Sequence, residues 1–600
     1  LVGSEMCIRD SSSEQADPSL AALEQGGSSV RSNWSGMLVG SFLGGSRLQV
    51  PPEAARQTEP SESSSLLSTE SDPEDTDSAM MQGPVSAVPA MSSMGNASGY
   101  GTMRPGVSEG TAIEPRAYGG GGGEHAPSPL PPLADHTYTP EESRKVLDRE
   151  LRILTRFTFP VWATHLLELS LSIVSVLSLG HLGTVELAAS SMAGMTANVT
   201  GFSIISGLVC ALDTLLPASY TRHPKMMGIW TQRVGVIIAF VIPLIVTLWV
   251  NADKVLLLFV KDAEIAHKAR LFLSVLAIGL PGHALFELSR RFLQAQGLMH
   301  APTVVLFIVS PLNALANYLL VWGPKWMRFG FLGAPLASAI SMWLMAILCC
   351  LQCSLVAGHT WSGWSWRAWD LDGLKKCASL GLAGLLGLAT EWWAWEIVGL
   401  VTAALGTAAL AAQSVLLITS SVTYQLPYGA AVAASVRVGN LLGLGQVADA
   451  RLACRGAVII SIVVGLFDSG LVYFARNQWG YLFSSDPKVV ELIASVLPIM
   501  AIFQCADSVC GIAAGILRGC GCQAVGAAIN VTAYYVVGIP AALFLAFGPF
   551  QLGLHGLWWG LTIALIYGAC TAVWFIMRMD WSSVVRRIHH TMSEAAEEEA

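Results

Sequence analysis

Residues 388–399 read Leu-Ala-Thr-Glu-Trp-Trp-Ala-Trp-Glu-Ile-Val-Gly and place Glu391 and Glu396 inside an apolar run that covers residues 378–402. A run of about 25 residues is long enough to cross a bilayer as a helix. A carboxylate at the centre of such a helix costs roughly 2.5–3.5 kcal/mol to insert, so it normally faces a water-filled cavity or a protein partner. Five residues at about 100° each put the two glutamates roughly 140° apart, so we expect them to have different roles.

Apolar segments dominate the chain after residue 140. Of the 600 residues, 53% are hydrophobic and only 13% are charged, which is unlike a soluble globular protein. We predict an all-α integral membrane protein with twelve spans, near residues 157–179, 187–211, 229–250, 271–288, 302–322, 331–357, 378–402, 408–434, 453–475, 489–512, 524–547 and 553–577.

The first 140 residues have a different composition. They are rich in Ser, Gly and Pro and hold 17 acidic residues against 6 arginines, so we predict a disordered acidic tail. The sequence starts with Leu, and we expect residues 1–12 to be an artefact or part of a truncated reading frame; without a cleavable leader, the first span must direct insertion. Glu62, Leu66 and Leu67 resemble an acidic dileucine sorting signal, which would bind a sorting adaptor.

The distribution of Lys and Arg predicts the orientation. With the N-terminus inside, the cytoplasmic loops carry more basic residues than the opposite loops, and both termini are flanked by further basic residues. We therefore expect both termini in the cytoplasm.

An internal repeat divides the spans into two sets. Residues 182–191, Leu-Gly-Thr-Val-Glu-Leu-Ala-Ala-Ser-Ser, closely match residues 405–414, Leu-Gly-Thr-Ala-Ala-Leu-Ala-Ala-Gln-Ser. A repeat of six spans preserves orientation, so the copies are related by a pseudo-two-fold axis along the membrane normal. This predicts a six-helix bundle in 141–360, a second in 361–580 and a short cytoplasmic tail in 581–600, with a central cavity suited to alternating access.

The spans carry a series of ordered motifs, which are Gly180-His-Leu-Gly183, Asn313-Ala-Leu-Ala-Asn-Tyr318, Glu391-Trp-Trp-Ala-Trp-Glu396, Ala433-Ala-Ser-Val-Arg-Val-Gly-Asn440, Leu517-Arg-Gly519 with Gln523, and Tyr534-Tyr-Val-Val-Gly-Ile-Pro540. Together these motifs resemble the multidrug and toxic compound extrusion (MATE) transporters, in their eukaryotic, fungal-type branch. The resemblance covers about residues 157–577. The exit of the second span departs from the family pattern Gln-Ala-Tyr-Gly, because it reads Pro217-Ala-Ser-Tyr220.

The resemblance implies export of organic solutes, often cationic, in exchange for protons, with Glu391 and Asp507 as the cation-binding acids. A carboxylate in an apolar cavity has its charged form disfavoured, which suits a proton carrier. Glu396 is a further candidate, for which a structural hydrogen bond is the alternative, and Glu168 is expected to line a cavity in the first bundle. The remaining candidates for the cavity wall are Trp395, Tyr424, Tyr534 and Gln413.

Other functions have weaker support. Sodium coupling and flipping of lipids or lipid-linked sugars stay open as alternatives, although a flippase favours a basic cavity and the spans contain almost no Lys or Arg. An intramembrane enzyme using Asp468 and Asp507 lacks an accompanying motif, and no phosphate-binding loop indicates ATP hydrolysis. We expect no cofactor, no metal, no nucleic acid and no enzymatic activity, but a monomer in the plasma or vacuolar membrane that uses an ion gradient.

Overall fold

A computed structural model describes residues 138–258 and 262–597, which lie in one compact unit. The described residues form helices, turns and loops without a β-strand. The predicted disordered tail, apart from residues 138–140, and the sorting signal lie outside the described residues. The long helices are α1 Pro140–Gly180, α2 Val185–Arg222, α3 Met226–Val250, α4 Ala263–Ala295, α5 His300–Trp322, α6 Gly330–Val356, α7 Leu371–Ala403, α8 Thr407–Gly443, α9 Val447–Leu482, α10 Pro487–Gly519, α11 Gln523–Phe547, α12 Leu554–Arg578 and α13 Trp581–Glu597.

Eleven of the described helices, α1 to α6 and α8 to α12, are long and apolar enough to cross a membrane. The predicted seventh span forms α7, a continuous helix of 33 residues. Glu391, Glu396 and three tryptophans lie in α7 and lower its mean hydropathy, so α7 is not among the eleven. The chain is thus an all-α integral membrane protein, as the sequence predicts.

Local sequence explains where several helices begin and change geometry. Thr139 accepts a hydrogen bond from the backbone N–H of Glu142, whose carboxylate accepts one from the backbone of Thr139, and Pro140 occupies the first turn. This capping box satisfies amide groups that have no partner within α1. Short π-helical turns interrupt α2 at Asn198–Phe202 and α11 at Thr532–Gly538, and such turns often accompany functional sites.

The helices pack as two bundles, α1 to α6 and α7 to α12. In the first bundle α1 packs on α5 and α4 on α6, and in the second α10 packs on α8, α9 and α12. The bundles meet where α1 and α2 pack on α8 and α2 packs on α7. Successive helices alternate in direction, so the start of α1 and the end of α12 lie on the same side. We call this the terminal side.

Hydrogen bonds and ion pairs between the bundles cluster toward the terminal side. They connect residues near the start of α1 or the end of α2 and α4 with residues near the ends of α8 and α10 or the start of α9. The contact between the bundles is therefore tight on the terminal side. The pairs are Arg149–Asp449, Glu150–Arg437, Asp213–Arg518, Thr221–Asn440 and Arg291–Tyr428.

Candidate functional site

A cavity of about 80 Å³ lies between α7, α8, α10 and α11. Its polar lining includes Glu391 of α7, Asp507 of α10, and Tyr424, Tyr428 and Tyr534. This volume accommodates a few water molecules but is smaller than a pocket for a drug-sized ligand, which usually exceeds about 300 Å³. A large solute therefore requires the surrounding helices to move apart.

Small residues create the space beside the two carboxylates. The wall of the cavity on α7 is formed by Ala383, Gly384 and Gly387, and the wall on α10 by Gly511 and Ala514. A Cβ atom added to Gly511 would lie 3.3 Å from the hydroxyl oxygen of Tyr424, so this glycine allows the tyrosine to approach α10 closely. The cavity thus brings two acids and aromatic rings next to small residues of α7 and α10.

Arg518, near the end of α10, lines the same cavity on its terminal side. Its Nε lies 3.3 Å from Oδ2 of Asp213 in α2. Two hydrogen bonds from side chains to backbone carbonyls also connect the bundles here. The Gln523 side-chain amide donates to the carbonyl of Cys210 at 2.8 Å, and the Thr214 hydroxyl donates to the carbonyl of Arg518 at 2.5 Å. The cavity therefore adjoins the boundary between the bundles.

A separate ion-pair network surrounds Glu168 in the first bundle. Its Oε2 lies 2.9 Å from Nη1 of Arg290 and 3.1 Å from Nδ1 of His165. Arg290 also donates to Glu287 at 2.5 Å. Glu168 therefore lies in this network and does not line the cavity that contains Glu391.

The other predicted site residues lie in two different places. Tyr424 and Tyr534 line the cavity with Glu391 and Asp507. Trp395 packs against Phe503 and Trp558, and the indole of Trp558 donates to the buried amide oxygen of Gln413 at 2.8 Å. The roles predicted for these residues stay predictions, but Trp395 and Gln413 lie in the packed interior of the second bundle.

Glu396 also lies outside the lining of the cavity, although it shares α7 with Glu391. The rotation of roughly 140° between the two positions explains this separation. Three lining residues that sequence reasoning did not select are Arg518, Tyr428 and Asn530. Arg518 stands in the motif Leu517-Arg-Gly519, which offered a signal, whereas the other two have no distinguishing sequence feature.

Metal binding has no support in the described part of the chain. No group of three or more His, Cys, Asp or Glu side chains there is arranged to hold a metal ion. Cys520 and Cys522 flank a turn at Gly521, whose carbonyl accepts a hydrogen bond from Arg587 at 3.3 Å. These two cysteines thus belong to the contact between that turn and α13.

Comparison with known proteins gives consistent matches over the membrane part. The MatE family model matches twice, at residues 160–319 and 385–544, once in each bundle. An uncharacterized transporter of Schizosaccharomyces pombe is 37% identical over 449 residues, covering 74% of this chain and 83% of the relative. Multidrug and toxin extrusion protein 1 of Homo sapiens is 32% identical, covering 73% of this chain and 76% of the relative.

Solved structures agree with the sequence matches. The crystal structure of the eukaryotic MATE transporter AtDTX14 superposes with a TM-score of 0.69 at 29% identity, covering 74% of this chain and 100% of that chain. A crystal structure of the Vibrio cholerae MATE transporter VcmN has a TM-score of 0.66 at 17% identity, covering 73% of this chain and 99% of that chain, and indicates the fold alone.

Proposed function

The chain belongs to the MatE family of membrane transporters, and from this membership we propose that it exports organic cations in exchange for protons by alternating access. The observation that carries the proposal is the meeting of Glu391 and Asp507 with Tyr424, Tyr428 and Tyr534 in one cavity. Carboxylates attract a cation, and the faces of aromatic rings bind organic cations. Members of this family are transporters and not enzymes.

Exchange requires that a proton and the solute compete for the same charge. A cationic solute is held by an ionised carboxylate, and a proton that neutralises this carboxylate releases the solute. Protonation and solute occupancy are then mutually exclusive, and a proton gradient drives export. Glu391 and Asp507 are the residues to which we assign this role.

The orientation and location follow from the sequence. We infer that the terminal side faces the cytoplasm, because its loops together with the adjoining helix ends carry the larger share of Lys and Arg. In this orientation the protein moves solute away from the cytoplasm. We further propose that it acts as a monomer in the plasma or vacuolar membrane. No observation favours sodium coupling or lipid flipping over proton exchange.

The test is uptake of a fluorescent organic cation into proteoliposomes with an imposed pH gradient. Wild-type protein is expected to accumulate the cation only with the gradient. Glu391→Gln removes the charge while keeping the shape, so uptake should fall by at least about tenfold, a loss of about 1.4 kcal/mol in transition-state stabilisation. Asp507→Asn is the second variant of the pair, and thermal unfolding of both verifies that they fold.

Each result of the uptake assay would contradict a different part of the proposal. Undiminished gradient-dependent uptake in both variants would contradict the assignment of the acids. Uptake that requires a sodium gradient instead of a pH gradient would show that sodium, and not the proton, is the coupling ion. Failure of the wild type under both gradients would contradict export of organic cations.

A further inference from the structure

Arg518 lies between the acids of the cavity and a carboxylate of the other bundle. It is the cationic side chain that lines the cavity with Glu391 and Asp507. Its Nε lies 3.3 Å from Asp213 of α2, across the boundary between the bundles. The Arg518 side chain keeps 21% of its surface accessible, whereas that of Asp213 keeps only 5%. Arg518 therefore contacts Asp213 on one side and faces the cavity on the other.

Asp213 has two cationic partners. Its two oxygens face two guanidinium groups, Arg291 at 3.1 Å and Arg518 at 3.3 Å. The neighbouring Arg290 has carboxylate partners of its own in Glu168 and Glu287. A buried charge is costly unless an opposite charge compensates it. Asp213 is thus shared by two cations, and Arg518 also lines the cavity that contains Glu391.

The titratable and charged groups near these charges come from several of the surrounding helices. Those facing Arg518 are Cys210 and Asp213 of α2, Arg291 of α4, Glu391 of α7 and Tyr428 of α8. Those facing Asp507 are Glu391, Asp468 of α9, Tyr424 of α8 and Tyr534 of α11.

We propose that Arg518 is a positioning residue that exchanges partners between Asp213 in the first bundle and the ionised Glu391, which lines the same cavity, in the second. This inference rests on the proposed function, because it concerns one of the same acids. When a proton or a cationic solute neutralises Glu391, Asp213 is the remaining partner and the contact between the bundles is complete. When Glu391 is ionised and the cavity is empty, it attracts Arg518 and weakens that contact.

The exchange links the occupancy of the cavity to closure of the terminal side. In the conformation described, the Thr214 hydroxyl donates to the carbonyl of Arg518 and the Gln523 side chain donates to Thr214, so the Arg518–Asp213 pair is part of a wider contact between the bundles. A transporter with empty, ionised acids lacks the Arg518–Asp213 pair that favours closure. The terminal side therefore closes around a loaded site in preference to an empty one, which is a requirement of coupled exchange.

The test measures a distance between the bundles on the terminal side. Spin labels are placed at the exposed positions Lys225, between α2 and α3, and Gln446, between α8 and α9, with Cys7 and Cys570 replaced by Ser. Pulsed electron paramagnetic resonance in lipid nanodiscs then compares about pH 5 with about pH 9, a range that includes the titration of buried carboxylates. Wild type should shift toward longer distances at the higher pH.

Variants separate partner exchange from other effects of pH. Arg518→Gln should lose the shift, and so should the double variant Glu391→Gln with Asp507→Asn. Arg518→Lys keeps the positive charge and should keep the shift, which would show that the fold tolerates a substitution at this position. Asp213→Asn should give the longer distance at both pH values. The matched control is Asp449→Asn, which removes another contact between the bundles, with Arg149 at 3.2 Å, but leaves the shift with pH intact.

The outcomes distinguish this inference from the proposed function. If wild type takes up a cation under a pH gradient and Arg518→Gln retains the full pH-dependent shift, partner exchange is wrong and proton exchange stands. A transporting wild type without any shift also overturns partner exchange. If wild type neither transports nor shifts, both proposals fail.

Discussion

Arg437 of α8 donates two hydrogen bonds to Glu150 of α1, of 2.6 Å from Nε and 2.8 Å from Nη2. The side chains of these residues are 7% and 0% exposed, and the pair crosses the boundary between the two bundles. Arg149 approaches the same carboxylate at 3.0 Å. The start of the first span is therefore fixed to the second bundle on the terminal side, where the bundles are held together.

Replacing Glu150 should destabilise the protein strongly. Glu150→Gln leaves Arg437 as a buried cation without its counter-ion, which we expect to lower the free energy of unfolding by about 3–5 kcal/mol. Thermal and denaturant unfolding in detergent measure the change. Glu141→Gln is the control, because Glu141 and Lys145 form an exposed pair that contributes less than about 1 kcal/mol. Equal losses in the two variants would contradict the role of the buried pair.

Gly207 should not tolerate a larger side chain. A Cβ atom at this position in α2 would lie 2.5 Å from the Cα atom of Leu385 in α7, and a backbone atom cannot move aside without separating the bundles. We expect Gly207→Ala to cost about 1–3 kcal/mol of stability through overpacking.

Gly194 provides the matched control for this substitution. It lies in the same span, but an added Cβ atom there meets nothing within 4 Å. Gly194→Ala should be neutral or slightly stabilising, because Ala favours a helix over Gly by about 1 kcal/mol. A melting temperature that falls as far for Gly194→Ala as for Gly207→Ala would show that the close approach to Leu385 is not the cause.

Glu396 should matter less for transport than Glu391. Both acids are in α7, but only Glu391 lines the cavity with Asp507. We expect Glu396→Gln to change gradient-dependent uptake by less than about twofold, compared with a loss of at least about tenfold for Glu391→Gln. Parallel uptake assays at equal protein content test this difference, and equal losses would place Glu396 in the transport site.

The attachment of α13 should weaken at acidic pH. This helix lies outside the spans and buries His589, whose Nε2 lies 3.1 Å from the carbonyl oxygens of Leu442 and Gly443. Burial, and then the nearby Arg222, hold the pKa of His589 below its ordinary value of 6.5. The free helix therefore binds a proton more readily than the attached helix. Attachment is at full strength above about pH 6.5 and is progressively lost as the pH falls.

A spin label at the exposed Ser583 reports this change as increased mobility between about pH 7 and about pH 5. His589→Gln should remove the dependence on pH. His590→Gln should retain it, because the His590 side chain is 73% exposed. An unchanged pH dependence in His589→Gln would show that another group controls the attachment.

The spans and the internal repeat could be predicted from the sequence. In a bilayer each backbone N–H and C=O must find a partner within the helix, so a long apolar run dictates its own structure. The match of the MatE model to both bundles agrees with the repeat. The placement of Glu391 and Asp507 together followed from the family resemblance, because residues on α7 and α10 share no local pattern that would connect them.

Other placements could not be obtained from the sequence. Glu168 and Glu391 are both acids within apolar spans, yet Glu168 pairs with Arg290 and His165 whereas Glu391 lines a cavity. Gln413 equally gives no sign that the indole of Trp558 donates to it. Such differences depend on the rotation and depth of neighbouring helices.

The sequence by itself determined which segments are helices, which carry acids and how the two halves correspond, because hydropathy and backbone hydrogen bonding are local. Only the tertiary structure decided which charges meet. Arg518 and Asp213 lie in different bundles, and their 3.3 Å contact exists because α2 packs beside α8 and α10 on the terminal side. The strength of an ion pair depends on distance and burial, and both are set by the packing of helices that are remote in the chain.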